Sequence, residues 1–375
     1  MKKNIFLIVV ILFCLIGCRK KTNDHAVFVV NNAPRTERIL ELKLDSFLLE
    51  SIESSYVGDI AFREDIFYFI DKKFCWVFTF NQEGSFVKRY LGRGQGPGEI
   101  AAGMIDGYAF LNDKSTLYIG PSNDCYIYDK NFVSINKFVI NKGDKNSEAS
   151  YNAPWIYTLM YENLILKNYK NYLYYTIYSE RPSFNFIESP EEYFEKVHIL
   201  SKLNLETGIV EEVIGQYPPI YREDKSLKQF NFIHFDIDNN GKFYISFEAD
   251  SLIYQYDENF KPLDCFGFSG KNMGNKSRVF TSIAEFQKGY IQNRKERGYY
   301  KTLTYIEETG LLFRSYYKGE PSMEDGLQIY ENNVLIGDIQ VPSGFSILGY
   351  SAPYYYAING VDEDNEKILI YKFKI

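Results

Sequence analysis

Histidine is nearly missing from this chain. Of 375 residues only His25, His198 and His234 are histidines, beside 2 Trp and 5 Met. So few imidazoles leave little material for a His-rich metal centre or a Ser-His-Asp constellation. Basic charge is also short: 42 Lys and Arg stand against 49 Asp and Glu, a formal charge of −7. Nucleic-acid binding needs a surplus of cations to neutralise phosphates, so it is not expected here. Cysteine is scarce too, with Cys14, Cys18, Cys75, Cys125 and Cys265. The last three sit in strand-like runs and are odd in number, so buried free thiols are expected rather than a disulfide framework. Aromatic residues, in contrast, are abundant: 33 Tyr and 30 Phe, 17% of the chain with Trp. They favour half-buried pleated surfaces and point to β structure.

The one long apolar run lies at the start. Lys2 and Lys3 precede an apolar stretch, Ile5 to Ile16, which is too short to span a bilayer as a mature helix. It ends Leu15-Ile16-Gly17-Cys18, which resembles the bacterial lipobox. That resemblance implies removal of residues 1–17 and acylation of Cys18, whose several chains would anchor the protein stably where one would not. Cleavage takes Lys2 and Lys3 away, so 40 basic residues face 49 acidic ones, a balance of −9. Residue 19 is Arg, and the tether Arg19-Lys20-Lys21 is basic, unlike the acidic surface-export signals of Bacteroidota lipoproteins. The expected address is the outer membrane, facing the periplasm, with surface exposure as the alternative. The domain plan is a signal peptide at 1–17, a lipidated tether at 18–36 and one domain at 37–375.

Short alternating runs separated by Asn, Asp and Gly then recur along the chain. Tyr128-Asp129-Lys130-Asn131-Phe132 matches Tyr256-Asp257-Glu258-Asn259-Phe260. Phe80-Asn81-Gln82-Glu83-Gly84 is the same corner, and Asn204-Leu205-Glu206-Thr207-Gly208 is a fourth copy. Three of the following strands end in an apolar residue and glycine: Leu91-Gly92, Ile214-Gly215 and Phe266-Gly267. Phe80 to Tyr128 is 48 residues, and Tyr128 to Tyr256 is 128, two units of 64. Such periods describe propeller blades, and a mean of about 56 residues divides 37–375 into six. A β-solenoid and a double-sheet sandwich are the rivals. The alternating segment Arg38–Leu44 has no partner nearby in sequence, so it is expected to close the last blade beside Lys367–Phe373 and remove an open edge. A helical insertion is expected at 282–297. Ser282 and Glu285 have capping-box spacing, and Val279, Ile283, Phe286 and Tyr290 form an apolar stripe. Ser189-Pro190 starts a second, shorter helix.

With these repeats, the run Gly92-Arg93-Gly94-Gln95-Gly96-Pro97-Gly98-Glu99 resembles the six-bladed β-propeller lipoproteins of Bacteroidota, which are NHL-like and related to the propeller of the Tol system. The resemblance implies a six-bladed all-β propeller and an envelope location, and carries no catalytic residues to transfer. The run lacks the spacing of a dinucleotide or P-loop cradle. It reads as a crossover between blades on the rim of the central opening, where Arg93, Gln95 and Glu99, with Gln216 and Ser269 at equivalent crossovers, are the candidate binding residues. Asp236, Asp238 and Asn240 begin a D-x-D-x-N-G calcium loop, but Phe247 stands where the bidentate Glu belongs. A β-turn is expected, with calcium as the weaker reading and no cofactor otherwise. His198 and His234, each among apolar neighbours, read as hydrogen-bonded core residues.

Two function classes survive. One is a monomeric propeller tethered by its N-terminal lipid that binds a protein or glycan. The other is a lyase or hydrolase acting on a carbohydrate, lactone or peptide in the central channel. A buried cluster of Asp, Glu and His in the channel would favour the enzyme. An aromatic or flat apolar surface would favour the binder.

Overall fold

The repeated corner is the unit from which the fold is built. In a computed structural model that describes Phe28, Val30 and residues 35–96, 98–144 and 150–375, all four copies join the third and fourth strands of a sheet. The Asp129 carboxylate accepts from the N–H groups of Asn131 and Val133, each at 2.8 Å. Asp257 does the same for Asn259 at 2.9 Å and Lys261 at 2.8 Å. This side-chain mimic of a turn lets Phe132 and Phe260 take positive φ, +62° and +58°, a conformation that Gly84 and Gly208 adopt freely at the other two corners.

Six antiparallel sheets of this kind stand in a ring, a six-bladed β-propeller. In chain order the blades occupy 58–91, 107–139, 158–214, 233–266, 299–342 and 346–373. Blade three departs from four strands. Its innermost position is shared by Thr158–Leu159 and Leu166–Tyr169, both paired with Tyr172–Tyr178. Apolar side chains fill the seams between blades: Phe67, Phe69 and Phe80, for example, are fully buried, each worth about 2–3 kcal/mol. The Tyr-rich runs serve the same packing, since Tyr174, Tyr175, Tyr355 and Tyr356 are all buried. Cys75, Cys125 and Cys265 are buried and are not joined in disulfides.

Blade six is closed by an N-terminal strand, but not the expected one. Asp45–Leu48 pairs antiparallel with Lys367–Phe373, matching Asp45 to Lys372 and Leu48 to Leu369. The segment expected there, Arg38–Leu44, lies one blade earlier. Arg38 and Ile39 both donate backbone N–H groups to the Ile336 carbonyl, and Ile39 bridges Gly337 in parallel. Its alternation has another cause: Ile39, Leu42 and Leu44 pack into the core shared by blades five and six. Further upstream, Val30 bridges Cys265 in parallel on the outer strand of blade four. The N-terminal strap thus touches the outer edges of blades four, five and six in turn. The lipobox at Leu15–Cys18 lies outside the described residues.

The long connections crowd one side of the ring. In each blade the first strand runs away from this side, so the second-to-third-strand turns and the blade-to-blade crossings share it. Residues 179–199, 215–232 and 267–298 all emerge there from blades three and four. They carry the helices Pro190–Lys196, Ile220–Glu223 and Ile283–Glu296. The last begins as expected, with Ser282 Oγ accepting from Glu285 N. The Glu285 carboxylate returns to Thr281 rather than to Ser282. Its buried face is not the whole apolar stripe, however: Val279 and Ile283 are exposed. The helix docks instead through buried Asn293 and through Arg294, which grips Glu248 with two guanidinium nitrogens and lies over the Phe230, Phe232, Tyr290 and Tyr299 rings. An ion pair so shielded holds only because both charges are satisfied.

Candidate functional site

Two cavities of more than 600 Å³ lie among the described residues. The first is the central channel, about 650 Å³, lined by the inner strands of all six blades. Its charged groups are already paired. Lys72 Nζ lies 2.8 Å from Asp59. Lys301 Nζ lies 3.0 Å from Asp325, which also accepts from Gly344 N at 2.7 Å. His234 lines the channel yet is buried, with no hydrogen-bond partner at Nε2 among the described residues; burial pushes its pKa down to about 3. A histidine held neutral through the working pH range does not shuttle protons.

The second cavity is a groove of about 620 Å³ where blades three and four meet. Its inner wall comes from Val213 and Ile214 of blade three and from Phe247, Tyr254 and Tyr256 of blade four. Gly215 ends the outer strand of blade three at φ +75°, and a Cβ there would sit 2.7 Å from Ile199 and 3.0 Å from Phe260. The closing glycine therefore lets the chain turn across the next blade's corner and into the crossing Gln216–Pro219.

His198 ties the groove's rim together. Its Nδ1 lies 3.2 Å from the Gly215 carbonyl, and its Nε2 lies 2.8 Å from the Asn152 carboxamide. Burial lowers its pKa. Both partners are oxygens, the Gly215 carbonyl and Asn152 Oδ1, so a neutral ring, which carries one N–H, donates to one of them at a time. Lys196 lies 2.8 Å from Glu192 and 4.5 Å from the Tyr151 ring centre. Two of the groove's tyrosine hydroxyls are engaged by the protein: Tyr254 Oη donates to Asp250 at 2.7 Å, and Tyr217 Oη to the Asn231 carbonyl at 2.5 Å. Aromatic rings and polar rim side chains share the lining. Phe28 of the strap completes the wall, edge-on to Tyr254 at 5.0 Å and Tyr256 at 5.1 Å.

Of the five candidate binding residues, one reaches a cavity. Gln216 lines the groove, its amide 3.5 Å from the Glu195 carbonyl. Arg93, Gln95, Glu99 and Ser269 are exposed and line neither channel nor groove. The Glu99 carboxylate accepts from Gly96 N at 2.7 Å, and a Cβ on Gly94 would lie 2.1 Å from it. Glycine leaves room there for a carboxylate that braces its own loop. Asp236 is held by Lys167 at 2.8 Å and by Tyr305 N at 3.0 Å. Asp238 closes the hairpin, accepting from Asn240 N and Lys242 N. The side chain that sequence reasoning missed is Phe28, which lies 226 positions before Tyr254. Phe260, by contrast, stood in the repeated corner from the start.

No family model matches this chain, and no curated protein does. Among solved structures, a member of the DUF4221 family from Bacteroides vulgatus superposes with a TM-score of 0.67 at 15% identity, over 89% of this chain and 98% of that one. A Bacteroides fragilis protein described as exported gives 0.49 at 15% identity, over 90% and 97%. The first likeness shows the fold.

Proposed function

We propose that the mature chain is a lipid-anchored β-propeller of the Bacteroidota cell envelope, facing the periplasm, and that it works as a binding module rather than a catalyst. The groove between blades three and four carries this reading. It offers aromatic faces and carboxamides at its rim, while the imidazole beside it has both ring nitrogens engaged. Such a surface holds a ligand; it has no acid or base left to act on one. The strap supports the tether. Cys18 precedes Phe28 by ten positions, so an extended chain would place the lipid within about 35 Å of the blade-four rim.

Two measurements test the proposal. Cys18→Ala should abolish incorporation of a fatty-acid analogue and release the protein from membranes; continued labelling would refute the anchor. The soluble variant, screened by thermal shift against peptides and oligosaccharides, should be stabilised by at least one class. Turnover of any screened compound would favour an enzyme instead.

A further inference from the structure

The groove already shows how it is filled. Phe28 sets its ring edge-on against Tyr254 and Tyr256. Two residues on, Val30 pairs in parallel with Cys265 on the outer strand of blade four. An aromatic side chain in a slot, on a backbone that adds a strand to a sheet edge, is the arrangement by which sheets take up extended peptides. The edge it joins, Pro262–Phe266, is the last strand of its sheet and exposes Leu263, and Val30 pairs with Cys265 along it.

Resting on the binding-module reading, we propose that the groove is a site for an extended peptide with an aromatic side chain, and that Phe28 occupies its aromatic slot in the free protein. The cavity remains about 620 Å³ with Phe28 counted among its walls, within the range of about 300–1,000 Å³ that holds small ligands. The chemistry favours a peptide over a sugar. Tyr217 and Tyr254 spend their hydroxyls on protein acceptors, so these two offer a ligand ring faces rather than the hydroxyl partners that a polyol needs. The rim amides of Gln216 and Asn259 and the strand edge that Val30 joins match peptide groups, which carry one donor and one acceptor per residue. A partner's peptide must then displace Phe28, so the strap that leads to the lipid competes with the ligand for one slot.

The experiment uses the mature chain made soluble by Cys18→Ala and a labelled heptapeptide, Ala-Val-Phe-Val-Val-Asn-Asn, which copies residues 26–32. Fluorescence anisotropy reports its binding. Phe28→Ala should empty the slot and tighten peptide binding by about tenfold, because the peptide no longer displaces a buried ring. The same peptide with Ala for Phe should bind neither protein. Asn259→Trp, at an exposed position lining the groove, should block binding whether or not Phe28 is present, so the site can be tested even if Phe28→Ala folds poorly. Equal affinity for the two proteins, or no binding to either, overturns the proposal. Oligosaccharide binding that is lost with Asn259→Trp would overturn the peptide class yet leave the binding module standing.

Discussion

The seams between blades one and two and between blades three and four are built from the same parts and end differently. In each, an outer strand closes with an apolar residue and glycine, and the next blade's corner, or the next copy of it, presents a phenylalanine. At the first seam Tyr90 stacks on Phe132 at 4.1 Å and seals the surface. At the second, the residue in Tyr90's place is Val213, and Phe260 turns back onto Tyr256 of its own blade at 4.2 Å. The space that a tyrosine fills in one seam is left as a groove in the other. The long crossings then build walls around it, while the described residues among 92–106 carry glycines and form no helix. A tyrosine stacks across one seam where a valine lines the groove at the other, and the insertions add walls to that groove.

Breaking the clamp that holds the insertions should have the largest effect. Arg294→Met leaves the buried Glu248 carboxylate without its guanidinium, and stranding a buried charge costs about 3–5 kcal/mol. Denaturant unfolding should show that loss, with faster amide exchange across Ile283–Glu296. Adding Glu248→Gln should recover much of it. A single variant as stable as the parent would mean that the helix docks through apolar contact alone. The first seam, which has no such clamp, should exchange unchanged.

Acid should find the same half of the molecule. Both described histidines lie in blades three and four. An unfolded His binds its proton near pH 6.5, whereas His234 stays neutral in the fold down to about 3. Between those values the unfolded state holds more protons, so the stability present above pH 6.5 is lost as pH falls. At pH 5 the gap of 1.5 units corresponds to about 2 kcal/mol. His234→Gln should flatten the fall in unfolding free energy between pH 7 and pH 5. An unchanged slope would place the acid sensitivity elsewhere.

How much of this could be read from the chain follows from what repeats. The corner is a local motif, closed by its own Asp or Asn side chain (Asn81, Asp129, Asn204 and Asp257), so blades one to four announced themselves without any tertiary information. The helix at 282–297 was legible for the same reason, since a cap is a contact between residues three apart. Strand closure was half legible. Pairing of the N-terminal region with Lys367–Phe373 could be expected, but Arg38–Leu44 alternates to fill the blade-five and blade-six core, and alternation does not distinguish a paired strand from a segment lying across a seam. The glycine-rich loop drew attention because its composition is unusual, and the unusual composition serves its brace, Glu99 on Gly96 N. The groove was not legible. Its parts are ordinary residues gathered from the strap, two crossings, one connection within blade three and two blades, and Gln216 was found only because it follows a repeated glycine.

The smallest expected effect is the sharpest test of the comparison, because it exchanges the two seams. Tyr90→Val should open the first one. Tyr90 is half-buried, so losing its stack on Phe132 should cost about 1–2 kcal/mol, the worth of an aromatic pair plus some cavity. Val213→Tyr should do the reverse. Its side chain is buried beside the groove, and the added ring has cavity to enter rather than packed atoms to displace. The cost of extra volume should therefore stay below about 1 kcal/mol. If the seams differ through this one position, Val213→Tyr keeps its melting temperature within a few degrees and loses peptide binding at the groove. Tyr90→Val should gain no such binding, because its seam lacks the crossings that wall the pocket and the strap that primes it. A Val213→Tyr protein that still binds the heptapeptide would show that the ligand sits on the insertions alone. The seam would then be scaffold, and the difference between valine and tyrosine would carry no function.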